Sequence, residues 1–437
     1  ALAAAGIPVI VLERRRIPGG RASSFRDPVT GDALDNGQHL FAGSYRRTLR
    51  LLDLIGSRDG LRLQKRLRIP FRHPERGRVE LAFAPLPPPL DAAWGILRSS
   101  LLGPADRIRL LGSGIRARDR RREVPGEMTV EAWLSAAGQS PEARRAFWHP
   151  LTLAIMNEHP GAASASCLLR ALRQAFLGGA GGGLGMSRIP LGDLIAGPAL
   201  RFVEERGGEV RTAMEAESLR MERGRVAAVR IRRGGEAECS AAILALPWHA
   251  VPAAAEPSIL GEDALRFAAA AAPSPIVSVH LWFAEDFLEE EMTGLIGRPT
   301  HWVFNLKRIL GEGSAHLSTV TSAARHLAGQ PAAAVAHQAW KDVGFAHGGS
   351  IPRPLRTIVI RERRATPSLS PGVELLRPGH GTRAPNLFLA GDWTQTGLPA
   401  TIEGAVQSGQ ECAARALEWL GGTGGERDEG GMKREAP

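Results

Sequence analysis

The chain has 437 residues, of which 43% are hydrophobic and 23% charged, which predicts a globular protein of two domains. It has no apolar run that could span a bilayer, and no charged-then-apolar secretory signal opens the residues given. Its three cysteines are too far apart to indicate disulfides or a zinc site. The net charge of +10 comes mostly from arginine. With one tyrosine and no nucleic-acid-binding motif, the chain is not expected to bind nucleic acid.

The first residues, "ALAAAGIPVIVLE", read as the end of a helix followed by a strand. Small residues over Ala1–Ala5 predict the last helical turns, and Gly6 is a candidate C-cap. Val9–Leu12 is continuously apolar, as buried parallel strands are. Glu13 then stands where a dinucleotide-binding unit places the acidic residue that binds ribose. The alternative is an ordinary strand with a solvated glutamate at its end.

Two turns with chemically useful residues follow this strand. Gly19 and Gly20 supply permissive backbone before Arg21, whose guanidinium can bind a phosphate through two nitrogens. The second turn lies in "LDNGQH", residues 34–39, and has a polar tip.

Residues 86–122 combine apolar anchors with arginines, as a surface that enters a lipid interface does. The anchors are Trp94, Ile96, Leu97, Leu101 and Leu102, interleaved with Arg98, Arg107 and Arg109. We therefore expect a cytoplasmic protein, peripheral to the inner face of the cell membrane. The alternative is an amphipathic helix packed on its own domain.

Near the other end, Leu387–Ala390 predicts a short buried strand that leads into Gly391 and Asp392. Pro399 then precedes a helix whose apolar residues recur every three to four positions, which indicates one face in a core. A strand, a Gly-Asp turn and a helix N-terminus form a good site for an anionic or electron-rich ligand. We therefore predict ligand contact at Gly391, Asp392 and residues 398–402.

The stretches "PGGRASSF", "LDNGQHL", "SRIPLGDL", "ALPWHAV" and "PNLFLAGDWTQTGLPATIEGAVQSG" resemble the amine oxidase and phytoene desaturase superfamily of flavoproteins. The resemblance is closest to the squalene-associated FAD-dependent desaturases, also called hydroxysqualene dehydroxylases. It implies a mixed α/β and α+β fold, with a Rossmann-like FAD-binding domain and an inserted substrate domain of mixed sheet and helices. The FAD-binding domain would comprise residues 1–60, 187–255 and 365–420. The substrate domain would comprise 61–186 and 256–364, and a tail from 421 would be disordered.

The same resemblance implies which residues bind the FAD. Glu13 would hold the adenosine ribose, Arg21 would face the pyrophosphate, and Val210 would contact the adenine through its backbone. Gly37, Gln38 and His39 would approach the flavin ring, Asp392 would bond the ribityl–phosphate region, and the N–H groups near Thr401 and Ile402 would face the electron-rich edge of the ring. The remaining predicted cofactor-binding residues are Gly19, Gly20, Gly391, Pro399 and Ala400.

The implied reaction is reductive loss of the hydroxyl group of hydroxysqualene, an isoprenoid lipid, with hydride from reduced flavin. His39 is the first candidate for the general acid, because imidazole titrates near working pH. A structural histidine in the turn is the alternative. Glu158 and His159 are a second candidate pair, with a solvated helix end as the alternative.

Three other functions compete with this one. A carotenoid or phytoene-type desaturase would oxidise a polyene in the same fold. An amine oxidase would need an aromatic pair at the flavin, usually including a tyrosine, and Tyr45, the only tyrosine, is expected to lie far from the C-terminal motif. A non-catalytic, membrane-peripheral flavoprotein of a terpenoid assembly is the third.

We expect the gene to encode, directly before Ala1, an apolar strand and a Gly-x-Gly-x-x-Gly turn that leads into Leu2–Ala5. In such units the pyrophosphate binds the backbone N–H groups of that turn, which Arg21 alone cannot replace. The 437-residue chain should then bind FAD poorly, and the extended chain stoichiometrically. Sequencing upstream of the locus and titrating both chains with FAD test this, and equal affinities would contradict it.

Overall fold

The structure is a computed structural model that describes residues 1–118, 124–177, 183–232, 234–311 and 313–422. The strands in these ranges are β1 (Ile10–Glu13), β2 (Ser24–Arg26), β3 (Ala33–Asp35), β4 (Phe41–Ala42), β5 (Leu61–Leu63), β6 (Arg68–His73), β7 (Gly77–Ala82), β8 (Leu184–Ser187), β9 (Glu209–Thr212), β10 (Ala216–Glu222), β11 (Arg225–Ile231), β12 (Glu236–Glu238), β13 (Ala242–Leu244), β14 (Pro273–Phe283), β15 (Met292–Leu295), β16 (Trp302–Asn305), β17 (Ala315–Thr321), β18 (Arg356–Pro367) and β19 (Leu387–Leu389).

The α-helices in the same ranges are α1 (Arg46–Leu54), α2 (Leu90–Arg98), α3 (Pro104–Arg118), α4 (Val130–Ala136), α5 (Pro141–Ala143), α6 (His149–Met156), α7 (Ala165–Leu172), α8 (Leu191–Leu194), α9 (Ala196–Glu204), α10 (Val251–Ala254), α11 (Pro257–Leu260), α12 (Glu262–Ala270), α13 (Leu306–Leu310), α14 (Ala332–His347), α15 (Pro371–Leu375) and α16 (Ile402–Gly422). The predicted mixture of α and β structure is confirmed. None of these helices is both long and apolar enough to cross a membrane.

Two parallel strand pairs, β1–β9 and β13–β19, carry the predicted nucleotide-binding elements. The predicted strand near the start is present as Ile10–Glu13, but Ile10 is 41% exposed, so the expectation of a fully buried strand is wrong. Among the described strands β1 pairs with β9 alone. The residues before it form a 3-10 turn, Ala3–Ala5, instead of the end of an α-helix. Gly6 is the predicted C-cap, with φ 76°.

The largest sheet has seven strands in the order β18-β14-β17-β16-β15-β6-β7. All neighbours are antiparallel except β15 and β6. Because side chains alternate along each strand, the sheet has two distinct faces. On the outer face Val277, Val279 and Leu281 form a hydrophobic cluster with residues of α14. On the inner face Trp302 and Phe304 belong to the largest hydrophobic cluster of the chain.

The two segments predicted for the substrate domain both contribute to this sheet, since β6 and β7 come from 61–186 and β14–β17 from 256–364. The division into domains itself stays a prediction. Gly421 and Gly422 are the last residues of α16, so a tail that is disordered from 421 is wrong for these two. Residues 423–437 lie outside the described ranges.

The apolar and basic segment 86–122 forms α2 and α3, and residues 119–122 lie outside the described ranges. Leu101 and Leu102 are buried in the main core, so their prediction as lipid anchors is wrong. Ile96 is partly buried against the same core. Gly95 permits this packing, because a Cβ there would lie 2.5 Å from the carbonyl oxygen of Ala82 in β7.

Candidate active site

Two of the predicted binding positions, Glu13 and the turn at Gly391, lie at the carboxyl ends of parallel strands, where open α/β sheets bind their ligands. In the β1–β9 pair Val11 lies opposite Val210, and Glu13 lies opposite Thr212 at the last paired position. The Glu13 carboxylate accepts a hydrogen bond of 2.7 Å from the backbone N–H of Arg15. In the other pair, β19 ends at Leu389, two residues before Gly391.

Arg21 and Asp392 are in direct contact, although they lie 371 positions apart in the chain. Two guanidinium nitrogens of Arg21 donate to the two carboxylate oxygens of Asp392, both at 2.8 Å. The Asp392 carboxylate raises the pKa of Arg21. Because the geometry is bidentate and charge-assisted, this is one of the stronger hydrogen-bonded pairs a protein can form. The structure thus joins two residues that the sequence predicts as separate cofactor contacts.

The loop at Gly391 requires a glycine. A Cβ there would lie 2.4 Å from the indole nitrogen of Trp393, and the backbone has φ 154°. The N–H of Gly391 donates to the hydroxyl oxygen of Ser408 in α16 at 2.9 Å. The loop is therefore tied to the helix that follows it.

Arg377 holds the same loop from behind and was not identified from the sequence. Its buried guanidinium donates to the backbone carbonyl oxygens of Leu398 at 2.5 Å, Asp392 at 2.9 Å and Trp393 at 3.3 Å. Burial lowers the pKa of Arg377. No motif marks this arginine, because its partners are carbonyl groups that become neighbours only in the folded chain.

Thr401 caps the N-terminus of α16, since its hydroxyl accepts a hydrogen bond of 3.2 Å from the N–H of Gly404. The phenol of the half-buried Tyr45 is hydrogen-bonded to Thr401, and burial raises the pKa of Tyr45 to about 12. The expectation that Tyr45 lies far from the C-terminal motif is therefore wrong in space. Pro399, Ala400 and Ile402 flank this cap, and their contact with a flavin stays a prediction.

The turn that contains Gly37, Gln38 and His39 lies against the inner face of the seven-stranded sheet. The amide nitrogen of Asn36 donates to a carboxylate oxygen of Glu362 in β18 at 3.0 Å. A Cβ on Gly37 would lie 3.6 Å from the hydroxyl oxygen of Ser278 in β14. The turn is thus placed beside two strands of the sheet.

Within this turn, Nδ1 of His39 lies 2.7 Å from the carbonyl oxygen of Gly37. Because a carbonyl oxygen only accepts, Nδ1 carries the hydrogen of this bond. Burial lowers the pKa of His39, which favours its neutral form. A neutral His39 with its hydrogen on Nδ1 has only a lone pair on Nε2, so Nε2 can accept a hydrogen bond but cannot donate one. Its role as a general acid stays a prediction.

Glu158 has a structural role, because it forms a buried ion pair and is not part of a solvated helix end. Its carboxylate is buried and accepts hydrogen bonds from Arg325 at 2.7 and 2.6 Å. The hydroxyl of Ser368 donates to the same carboxylate. Burial alone would raise the pKa of Glu158, but these hydrogen bonds lower it. The expectation of a solvated Glu158 is therefore wrong.

A protein family described as "Flavin containing amine oxidoreductase" matches residues 1–417. The chain belongs to this family. It is therefore a flavin-dependent oxidoreductase. Its relatives include hydroxysqualene dehydroxylases of Sinorhizobium fredii and Rhodopseudomonas palustris, which are 30% and 31% identical to it over 95% of this chain and 94% of each relative.

A 15-cis-phytoene desaturase of Solanum lycopersicum is more distant, with 23% identity over 95% of this chain and 75% of that protein. Among solved structures, an oxidoreductase of Methanosarcina mazei has the same fold, with a TM-score of 0.74 at 15% identity over 95% of this chain and 96% of that one.

The residues of the site fit a flavin nucleotide by their chemistry. A guanidinium can bind phosphate oxygens, and a carboxylate at a strand end can accept hydrogen bonds from ribose hydroxyls. A helix N-terminus can stabilise the edge of the flavin ring that becomes negative on reduction. Arg21, Glu13 and Thr401 are the residues predicted for these three roles. Their contacts with the cofactor stay predictions.

We expect that Asp392→Ala weakens flavin binding without unfolding the chain. The substitution removes the partner of Arg21 and costs about 1–3 kcal/mol, less than for a fully buried pair, because solvent reaches 34% of the Arg21 side chain. Flavin retained after desalting tests this, measured on the holoprotein of the chain extended upstream of Ala1.

Asp342→Asn is the matched control, because Asp342 is a buried carboxylate paired with Arg298 at 2.6 Å and belongs to α14, which packs on the outer face of the sheet, opposite to the Gly37 turn. It should lower the free energy of unfolding and leave flavin retention unchanged. Unchanged retention in Asp392→Ala would remove Asp392 from the site.

Proposed function

We propose that this protein is an FAD-dependent enzyme that removes the hydroxyl group of hydroxysqualene and forms squalene. The observation that carries the proposal is the match to hydroxysqualene dehydroxylases over 95% of this chain at about 30% identity. The more distant phytoene desaturase supports the alternative less well. The Arg21–Asp392 pair, the capped α16 and the turn at Gly37 support a flavin nucleotide in this location.

Bound FAD would supply the hydride that replaces the hydroxyl group. The protein's part is to bind, orient and keep the site dry. Glu13 holds the ribose, and Arg21, oriented by Asp392, faces the phosphates. The N–H groups at the start of α16 lie at the ring edge, where a helix N-terminus stabilises the negative charge of a reduced ring.

The inner face of the seven-stranded sheet supports an isoprenoid substrate. Ile358 and Ile360 lie on this face, because they pair with His280 and Ser278 of β14, and they are only half-buried, so part of their apolar area is still open to a ligand. Hydrocarbon chains bind to such surfaces through the removal of apolar area from water, at about 25 cal/mol per Å².

The test is anaerobic incubation of the reduced holoprotein with hydroxysqualene, with mass detection of squalene. We expect one squalene for each reduced flavin in a single turnover, and Asp392→Ala should lose product in proportion to lost flavin. Oxidised holoprotein that desaturates phytoene would overturn the proposal in favour of the desaturase. Bound flavin that converts neither compound would favour the non-catalytic alternative.

We further propose that the protein binds the inner face of the cell membrane through α2. Leu90, Trp94 and Leu97 follow the spacing of one helix face, and they are 58%, 48% and 42% exposed. Arg98 is exposed beside them, with its guanidinium 5.9 Å from the Trp94 ring centroid. Apolar anchors beside cations suit the interface of an anionic bilayer, from which a water-insoluble substrate must come.

Replacing Trp94 and Leu97 by serine should reduce binding to vesicles that contain anionic phospholipid by about tenfold or more, since the two side chains lose their apolar burial in lipid. Vesicle co-sedimentation measures this. The matched control is Leu355→Ser, because Leu355 is 75% exposed and outside the segment. Equal loss in the control, or no loss in the double variant, would place the contact elsewhere.

A further inference from the structure

Three buried polar atoms on the inner face of the seven-stranded sheet lack a hydrogen-bond partner among the described residues. They are Oγ of Ser278 and Nε2 of His280 on β14, and Oγ of Ser318 on β17. Buried polar groups nearly always have a partner, because an unsatisfied one costs about 1–3 kcal/mol. Three such atoms on one face indicate a surface built for a polar ligand group.

The register of the sheet brings the three side chains together. His280 lies directly opposite Ser318, and Ser278 points to the same face two residues away. We call these three residues the polar strip. Apolar side chains lie on both sides of it, because Ile358 pairs with His280 and Phe304 pairs with Ser318. A polar strip between apolar side chains is complementary to an isoprenoid alcohol, which carries one hydroxyl group on a hydrocarbon chain.

The polar strip is next to the turn that is expected to contact the flavin ring. Ser278 lies within contact of Gly37, as a Cβ on that glycine would be 3.6 Å from the serine hydroxyl oxygen. Asn36 ties the same turn to Glu362 of β18 at 3.0 Å. A substrate hydroxyl bound at the strip is therefore close to the site of reduction.

A second histidine, His316, lies on the same face beside the strip, on the diagonal from His280. Nδ1 of His280 is 2.9 Å from Nε2 of His316, so one of these nitrogens donates to the other. The ring of Trp282 stacks on His316 with centroids 4.2 Å apart, and its indole N–H donates to Asp32 at 2.8 Å. These contacts hold the orientation of His316 and, through it, of His280.

Both imidazoles are neutral at pH 7. Burial lowers the pKa of His280 to about 3 and the pKa of His316 to about 4. In one of the two tautomeric arrangements of a neutral pair, Nε2–H of His316 donates to Nδ1 of His280. Nε2 of His280 then carries a hydrogen and is the free donor.

We propose that Ser278, His280 and Ser318 bind the hydroxyl group of the isoprenoid alcohol and that His280 donates a proton to it as the C–O bond breaks. This rests on the proposed function. His280 is then a catalytic residue, because it touches the leaving group, and His316 is a positioning residue that also carries the proton.

The step balances in atoms and charge. The electron pair of the C–O bond stays with oxygen, which takes hydrogen from Nε2 of His280 and leaves as water. Nδ1 of His280 takes the hydrogen of Nε2 of His316, and Nδ1 of His316 takes a proton from solvent. The carbon receives hydride from the reductant of the proposed reaction. One alcohol, one hydride and one proton give one hydrocarbon and one water.

The first test measures binding of hydroxysqualene and of squalene to the oxidised, full-length holoprotein through the change in flavin absorbance. A hydrogen-bonded hydroxyl should make the alcohol bind at least about tenfold more tightly than the hydrocarbon. Ser278→Ala and His280→Asn should bring that ratio close to one. His301→Asn is the control, since His301 is a half-buried histidine outside the strip that accepts from the N–H of Ser322 at 3.1 Å.

Two further variants distinguish a catalytic role from a structural one. Asn places an amide near the Nδ1 position of histidine and Gln near the Nε2 position, so His280→Gln should recover part of the kcat that His280→Asn loses. Ser278→Ala and Ser318→Ala should each raise the midpoint of thermal unfolding, because they remove an unpaired buried hydroxyl. Residues kept only for the fold would lower it.

The outcomes separate the two proposals. A folded His280→Asn variant with the wild-type binding ratio and kcat would overturn the polar strip while squalene formation by the wild type stands. A wild-type protein that prefers the alcohol but forms no squalene would overturn the proposed function and leave the binding role of the strip supported. Serine-to-alanine variants that lower the unfolding midpoint and leave the ratio unchanged would also overturn the strip.

Discussion

The contact between Arg21 and Asp392 joins the two ends of the chain at one point, and the rest of the site depends on it. It closes a loop of 371 residues, an entropic cost that the hydrophobic cores on both sides of the sheet have to offset. Arg377 then holds the Asp392 loop by three carbonyl oxygens, and Ser408 holds it from α16. The position of the Asp392 carboxylate is therefore set from three sides before any ligand arrives.

The seven-stranded sheet is a second constraint, and its alternating side chains divide two tasks between two faces. The odd-numbered residues of β14, such as Val279 and Leu281, pack with α14 and stabilise the sheet. The even-numbered residues, Ser278 and His280, are equally buried but leave polar atoms unpaired. One face of β14 thus stabilises the fold, and the other lowers its stability. A destabilising face is expected where ligand binding, and not packing, determines the residue types.

Local patterns were sufficient to predict much of the fold. The strand that ends at Glu13, the cap at Gly6, the strand β19 and the helix α16 all follow from apolar period and turn residues within about twenty positions. What could not be predicted depends on contacts between distant positions. Leu101 and Leu102 look like lipid anchors until the core encloses them.

The same limit explains the residues of the site that went unnoticed. The Arg377 guanidinium binds carbonyl oxygens that have no sequence signature, and Tyr45 reaches Thr401 from across the chain. The sequence of β14, "PSPIVSVHLWF", alternates in the usual way for a strand with one packed face. His280 can be recognised as a candidate site residue only from the register of the sheet, which places Ser318 opposite to it and His316 on the diagonal.

The half-buried His39 in the flavin turn and the buried His280 beside it differ in what their second ring nitrogen can do, and the difference lies in their hydrogen-bond partners. His39 shares Nδ1 with a backbone carbonyl oxygen, which can only accept, so its neutral form keeps the hydrogen on that side. His280 shares Nδ1 with another imidazole, which can donate or accept, so its tautomer can reverse. A dry site that must deliver a proton without holding a buried cation needs a neutral group of this reversible kind, because an isolated buried charge is costly. Burial therefore disfavours a cationic general acid at this site, and it favours a neutral imidazole paired with a second imidazole as the proton donor.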